Sequence, residues 1–231
     1  MKLTVIATVF NEVKTVCQAI KDIEKIKVPE KEVIIIDNCS TDGSRKLLEE
    51  LEANDFKEYK YIYNDKNLKC GNFIIGRDMA NGEYIYLHHT DLEYDPGAAM
   101  EMLAVAEQGS YDVILGSRLK DNKDSMWSIM RKRPEYLATI ISTALVNKWY
   151  GKKFTDIIGT RLYRTSTIRK VPTGTTGYGF EFGFVTRMCK LGLKIAEIAV
   201  PYKPRVCKRD KKVKPYHMLN ALFEMFKARY F

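Results

Sequence analysis

The sequence predicts an α/β protein with a mostly parallel central sheet flanked by helices, and three observations carry that prediction. Short apolar runs at residues 3–9, 33–36, 59–63, 84–87 and 113–115 include several that lack polar alternation, as expected when both sheet faces are covered. Helical patterns fill the intervals, at 13–26, 44–51, 73–80 and 97–106. Dense polar clusters fall where strands should end, at 37–44 and 88–96, the edge of such a sheet where ligands gather.

The first run, Leu3-Thr4-Val5-Ile6-Ala7-Thr8-Val9, reads as a buried strand; it meets Asn11-Glu12 with neither a charged leader region nor a small-residue cleavage site. The helix after it carries Val16, Ile20, Ile23 and Ile26 on one face. The second strand closes in Asp37-Asn38-Cys39-Ser40-Thr41-Asp42-Gly43-Ser44. There Asp37 is suited to accept hydrogen bonds from a nucleobase or ribose, and Ser40, Thr41 and Asp42 to satisfy N–H groups opening the next helix. The same octet also reads as an ordinary turn and cap. The fourth strand, Glu83-Tyr84-Ile85-Tyr86-Leu87, leads into His88-His89-Thr90-Asp91-Leu92-Glu93-Tyr94-Asp95-Pro96. In extended backbone His89, Asp91 and Glu93 share one face while His88 and Thr90 turn away. One imidazole and two carboxylates suit Mn²⁺ or Mg²⁺, which commonly reach a protein through a carboxylate or two plus substrate phosphates. A helix start, with Asp95 as N-cap and Pro96 at the first helical position, is a second and compatible reading.

At 231 residues, 45% hydrophobic and 29% charged, the chain reads as one globular domain, or one domain with a tail. Five cysteines, Cys17, Cys39, Cys70, Cys189 and Cys207, show neither C-x-x-C nor zinc-ligand spacing, which argues for reduced thiols in a cytosol. No apolar stretch approaches the roughly 18 residues of a membrane span, so membrane contact is expected to be peripheral. The net charge of +9 calls for an anionic partner, and the excess crowds Lys203, Arg205, Lys208, Arg209, Lys211, Lys212 and Lys214 against Asp210. With neither a helix-turn-helix nor a ribonucleoprotein aromatic motif, nucleic acid is not the expected partner. After the basic run, Met218, Leu219, Leu222, Phe223, Met225, Phe226 and Tyr230 recur at helical spacing. That stripe fits two placements, on an anionic membrane surface or on the domain's own core.

In order, Thr8-Val9-Phe10-Asn11-Glu12, D-N-x-S-T-D-G at 37–43, Asp91-Leu92-Glu93-Tyr94-Asp95-Pro96, Gly116-Ser117-Arg118 and E-I-A-V-P-Y-K-P-R at 197–205 resemble the family 2 glycosyltransferases of GT-A fold. Within that family the likeness is to the branch of dolichyl-phosphate and polyprenyl-phosphate mannosyltransferases, and it spans almost the whole chain. The resemblance implies a Rossmann-like nucleotide-diphospho-sugar transferase, with a GDP or UDP sugar as donor, a divalent metal and inversion at the anomeric carbon. It assigns Asp37 to the base or ribose, places Thr8, Phe10, Asn11, Glu12 and Thr90 around the nucleotide, and matches Lys69 to a lysine near it. The family's D-x-D falls on His89-Thr90-Asp91, so Asp91 is retained and His89 replaces the first aspartate. Imidazole in that position shifts the preference toward Mn²⁺ or weakens metal dependence. Glu93 matches a position that helps hold the ion. Arg118, Arg131 and Arg205 match phosphate-gripping positions, a role to which bidentate guanidinium suits them. Asp156 and Glu181 match acidic positions on the acceptor side. The relatives' Asp-Gly before the last helix is His217-Met218 here, a departure that bears on acceptor handling.

The expectation is therefore a GT-A domain over 1–205 followed by a basic segment and amphipathic helix over 206–231, in a cytoplasmic enzyme peripheral at the inner membrane face. It would move a hexose to polyprenyl phosphate, which as an anion needs no general base. Transfer to a glycan hydroxyl, with Asp156 or Glu181 as base, is the alternative. A silent sugar-nucleotide or membrane-binding module, motivated by His89 and His217, is the third. Oligomeric state is not legible.

Overall fold

The computed structural model describes residues 2–121, 136–174, 177, 179–204 and 217–231. Among these, seven strands form one sheet in the order β3-β2-β1-β4-β6-β5-β7. The strands are β1 (Leu3–Val9), β2 (Lys31–Asp37), β3 (Lys60–Tyr63), β4 (Tyr84–His89), β5 (Val113–Ser117), β6 (Thr160–Arg164) and β7 (Ile195–Ala199). β1 pairs in parallel with β2 and β4, β2 with β3, and β5 with β7, whereas β6 runs antiparallel to both β4 and β5. The helices are α1 (Val16–Asp22), α2 (Ser44–Asn54), α3 (Gly71–Met79), α4 (Ala98–Gly109), α5 (Leu137–Tyr150), the short α6 (Thr165–Ile168), α7 (Phe180–Lys190) and α8 (His217–Tyr230).

The unalternating apolar runs are explained by burial on both faces. Leu3, Val5, Ala7 and Val9 of β1 join Val33, Ile35, Tyr84 and Tyr86 in the layer under α1, α2 and α4. Ile6 faces the other way and meets Ile34, Ile36, Ile85 and the α3 and α7 residues Phe73 and Phe184. Burying such a side chain contributes about 1.5–3 kcal/mol, so these two layers dominate the fold's stability. Glycine permits the unusual closeness of β5 and β6: a Cβ on Gly159 would sit 1.8 Å from the Gly116 carbonyl oxygen.

The helical pattern at 13–26 resolves into α1 and a following 3₁₀ turn, Ile23–Lys25. Asp95 is not the N-cap expected of it: α4 begins at Ala98 with Gly97 as its cap, and Asp95 Oδ1 instead accepts from the Gly97 N–H at 2.7 Å in the turn ahead of the helix, where Pro96 also lies. The C-terminal stripe is taken up by the domain's own core only in part. Ala221, Met225 and Ala228 are buried, whereas Leu219 and Phe223, each 66% exposed, continue through Phe226 and Tyr230 as an uncovered apolar face. No helix among the described residues is long and apolar enough to cross a membrane.

Candidate active site

The order of strands reverses around β1 and β4, where chain connections leave in opposite directions and open a crevice beyond their carboxyl ends. Four non-glycine residues with left-handed backbone, Asn11, Cys39, Lys69 and Leu92 (φ 54°, 63°, 51° and 61°), lie in the segments that follow β1, β2, β3 and β4. Each such conformation costs roughly 1 kcal/mol or more, and strain of this kind collects where function demands a particular backbone course.

The segment after β2 braces the segment after β1. Ser40 Oγ accepts from the Asn11 N–H at 3.0 Å, Asn11 Oδ1 from the Thr41 N–H at 2.8 Å, Ser44 Oγ from the Glu12 N–H at 2.8 Å, and Asp42 Oδ2 from the Val13 N–H at 3.0 Å. The polar octet thus works mainly across two loops; Asp42 Oδ1, which accepts from the Ser44 N–H at 3.0 Å, is what serves the start of α2. Asp37 is buried, with Arg45 Nε donating to Oδ2 at 2.8 Å and the Ser40 N–H at 3.2 Å. A nucleotide meeting its carboxylate has to share it with Arg45. Phe10, Asn11 and Glu12 are half-buried beside it.

Beyond β4 the backbone leaves the extended conformation. β4 ends at His89 and Leu92 is left-handed, so the alternation that would align His89, Asp91 and Glu93 does not persist. Among the described residues no group of three or more His, Cys, Asp or Glu side chains gathers closely enough to hold an ion unaided. Asp91 Oδ1 accepts from the Glu93 N–H at 3.1 Å and the Glu93 carboxylate accepts from the Tyr202 hydroxyl at 2.8 Å. The His89 ring lies 4.8 Å from that of Tyr94, and its buried Nε2 has no hydrogen-bond partner. His88 is buried and held neutral, burial lowering its pKa to about 4, with Nε2 against the Ala19 carbonyl at 2.9 Å. Thr90 donates to the Thr8 carbonyl at 3.0 Å and so locks the β4 exit to β1. The segment after β7 closes on the same place: the Lys203 N–H reaches the Glu93 carbonyl at 2.8 Å and Tyr202 pairs with Tyr94.

Arg118 and Asp156 meet each other. Nε donates to Oδ2 at 2.6 Å and an Nη to Oδ1 at 3.0 Å, with the guanidinium over the rings of Tyr136 and Tyr202. Burial alone would push the Asp156 pKa up, and Arg118 with two backbone N–H groups holds it below its usual value. Glu197 of β7 accepts the Thr155 and Asp156 N–H groups at 2.8 and 2.9 Å and so fixes the Asp156 backbone from behind. Arg131 and Arg205 lie outside the described residues, as does the basic run beyond Lys203.

Lys69 and Glu181 come together from 112 positions apart at a cavity of 130 Å³, lined among others by Thr8, Lys69, Asn72, Phe73, Arg161 and Glu181. Arg161 is the cavity-lining residue that sequence reasoning did not single out. Its signal was a charge inside the apolar strand Thr160-Arg161-Leu162-Tyr163, where an arginine is costly unless it has a task.

Comparison with known proteins agrees with this fold. Residues 4–171 match the model of Glycosyl transferase family 2. The undecaprenyl-phosphate mannosyltransferase of Micrococcus luteus is 26% identical over 211 residues, covering 88% of this chain and 84% of that protein. Among solved structures, glucosyl-3-phosphoglycerate synthase from Mycobacterium tuberculosis with Mn²⁺, uridine diphosphate and phosphoglyceric acid superposes with a TM-score of 0.69 at 14% identity, covering 99% of this chain and 78% of that one. TarS 1–349 of S. aureus with UDP-GlcNAc gives 0.67 at 17% identity, covering 99% and 66%. A seven-stranded mixed sheet with its crevice at β1 and β4, carrying this order of motifs and matched by the family model over most of its length, belongs to glycosyltransferase family 2.

Proposed function

We propose that this glycosyltransferase moves a hexose from a nucleotide diphosphate sugar to a polyprenyl phosphate at a membrane surface. The observation that carries the reading is the placement of the Asp91 segment at the β4 exit, locked to β1 through Thr90, beside a cavity whose wall includes Lys69 and Glu181. Donor diphosphate beside Asp91 puts the sugar within reach of that cavity. The relative from Micrococcus luteus supports an isoprenoid phosphate as acceptor. The uncovered face of α8, continuing from the basic segment, supports a membrane as the place where the acceptor is met.

A divalent ion fits this site on one condition. The donor set is the Asp91 carboxylate with the unpartnered His89 Nε2 nearby in sequence, too few for a protein cage, so Mn²⁺ or Mg²⁺ would be completed by the diphosphate oxygens of either a GDP or a UDP sugar. When bound, the ion supplies positive charge against the leaving diphosphate. The chain's own part is to position. Lys69 adds a cation beside the donor, Thr90 and the braced loops fix the crevice, and the Tyr202–Glu93 contact holds the β4 exit against the segment leading to Arg205. Arg131 and Arg205 are assigned to acceptor and donor phosphates. An acceptor phosphate attacks already anionic, with inversion and without a base.

Transfer to a glycan hydroxyl is the second reading, and one contrast favours a particular base for it. Asp156 is fully buried and tied to Arg118, whereas the Glu181 side chain is 34% exposed at the cavity. Glu181 then takes the hydroxyl proton.

Turnover with UDP and GDP sugars plus Mn²⁺, with and without short polyprenyl phosphate, tests the proposal. Product is expected in the lipid fraction, with Asp91→Ala lowering its rate by about a hundredfold or more at unchanged circular dichroism. Product only on a glycan supports the second reading, and donor binding without any turnover leaves a binding module.

A further inference from the structure

We propose that the cavity between α3 and α7 receives the hexose ring of the donor, with Arg161 and Glu181 gripping two of its hydroxyl groups; this rests on the donor reading above. Arg161, on β6, is 2% exposed, a cation sealed beneath the sheet's edge. One Nη donates to the Ile157 carbonyl at 2.8 Å and reaches Glu181 Oε2 at only 3.4 Å, while Nε has no partner. A desolvated guanidinium N–H left unsatisfied is costly, and a ligand oxygen in the cavity would relieve that cost.

The chemistry of the wall selects among ligands. A phosphate would be drawn to Lys69 at the rim, whereas deeper in the cavity the guanidinium of Arg161 is already shared with the Glu181 carboxylate, which disfavours a second anion there. A nucleobase wants a flat slot between parallel faces, but the Phe73 and Phe180 rings are inclined at 56° with centroids 6.2 Å apart. A neutral polyol suits what is there: a guanidinium donor and a carboxylate acceptor side by side match adjacent hydroxyls, and Phe73, Leu87 and Phe180 suit the C–H face of a pyranose. Position agrees, because Thr8 both lines the cavity and accepts from Thr90, one residue before Asp91. With a phosphate acceptor Glu181 is not needed as a base, so its carboxylate can hold the sugar throughout the reaction.

Calorimetry on the full chain with Mn²⁺ tests this without turnover. The probes are UDP, GDP, UDP-glucose, GDP-mannose and the single-deoxy analogues of whichever sugar nucleotide binds. The expected result is that the sugar adds affinity over the bare diphosphate, and that removing one gripped hydroxyl lowers it by about tenfold or more, as for hydrogen bonds to charged groups. Arg161→Gln and Glu181→Gln should each erase the sugar's increment and leave diphosphate affinity unchanged. Equal weakening of diphosphate and sugar nucleotide, or deoxy analogues that all bind like their parents, overturns the inference and leaves the donor reading standing. Failure of the wild-type chain to bind any nucleotide overturns both. Should Arg161→Gln not fold, Glu181→Gln and the deoxy series decide alone.

Discussion

The segments after β1 and β2 and the segments after β5 and β7 both present motif residues at the same edge of the sheet, yet they are held in opposite ways. In the first pair, short polar side chains each satisfy one backbone N–H of the neighbouring loop: Ser40, Asn11, Ser44 and Asp42 divide the work. In the second, a single buried ion pair between Arg118 and Asp156 is clamped between Tyr136 and Tyr202 and backed by Glu197. Distributed bracing tolerates the loss of a member, because each bond is worth only about 1 kcal/mol and its N–H lies near water. A concentrated pair does not, because removing one partner leaves a charge in a place where water cannot reach it. Both devices occupy side chains that a list of motifs would assign to substrate. We accordingly place the sugar contacts on the wall between them, at Arg161 and Glu181.

The strongest test of that contrast is Asp156→Ala, which should cost about 3–5 kcal/mol in denaturant unfolding by stranding Arg118. Replacing both partners with apolar residues, Arg118→Met with Asp156→Leu, should be milder than either single change, since the pair's own net contribution is small once both desolvation costs vanish. A loss near 1 kcal/mol for Asp156→Ala would erase the distinction between the two regions.

How legible these regions were follows the same division. β1 was readable to the residue, and β2, β4 and β5 nearly so, because strands buried on both faces write themselves as apolar runs, while the half-buried β3 was legible from its Tyr-Ile-Tyr alone. β6 escaped: Arg161 and Arg164 interrupt its apolar run, and nothing in periodicity reports that it runs against its neighbours. The Arg118–Asp156 pair was readable as two charged positions but not as one object, because 38 residues separate them and only the antiparallel β6 turn brings them together. The alignment of His89, Asp91 and Glu93 failed at one point, Leu92, where an ordinary side chain takes a left-handed conformation that sequence does not announce. The C-terminal stripe could not be assigned a face in advance, since the same heptad-like pattern serves core and exterior until α7 takes up Ala221 and Met225.

Acid sharpens the comparison at intermediate strength. Glu32, in β2, is pushed up by burial, but the Asn81 N–H, Lys60 and Thr4 outweigh that and hold it at about 2. Its folded pKa lies below its ordinary 4.5, so it contributes stability that is complete above 4.5 and is lost as pH falls toward 2. Asp156, also held down, adds to the loss below its ordinary 3.8. Unfolding free energy should therefore decline from about pH 4.5 downward, and Glu32→Gln should flatten the upper part of that decline. Glu32 lies at the start of β2, at the far end from the braced loops, and an unchanged slope in Glu32→Gln would leave the acid sensitivity to other lowered carboxylates, Asp42 and Asp156 among them.

The smallest expected effect is the most direct check on distributed bracing. Asp42 accepts from the Val13 N–H with one oxygen and from the Ser44 N–H and hydroxyl with the other, at 3.0, 3.0 and 2.6 Å. Asp42→Ala removes all three, yet Val13 is exposed and water can take its N–H, so the loss should be about 1 kcal/mol. Asp42→Asn retains one acceptor oxygen of the same reach, its amide nitrogen being a donor, and should recover roughly half of it. If Asp42→Ala instead cost as much as Asp156→Ala, the loops beyond β1 and β2 would be a single cooperative unit whose members cannot be lost one at a time. Nucleotide entry would then have to proceed without any rearrangement of that edge, including the Arg45–Asp37 contact that a bound base is expected to share.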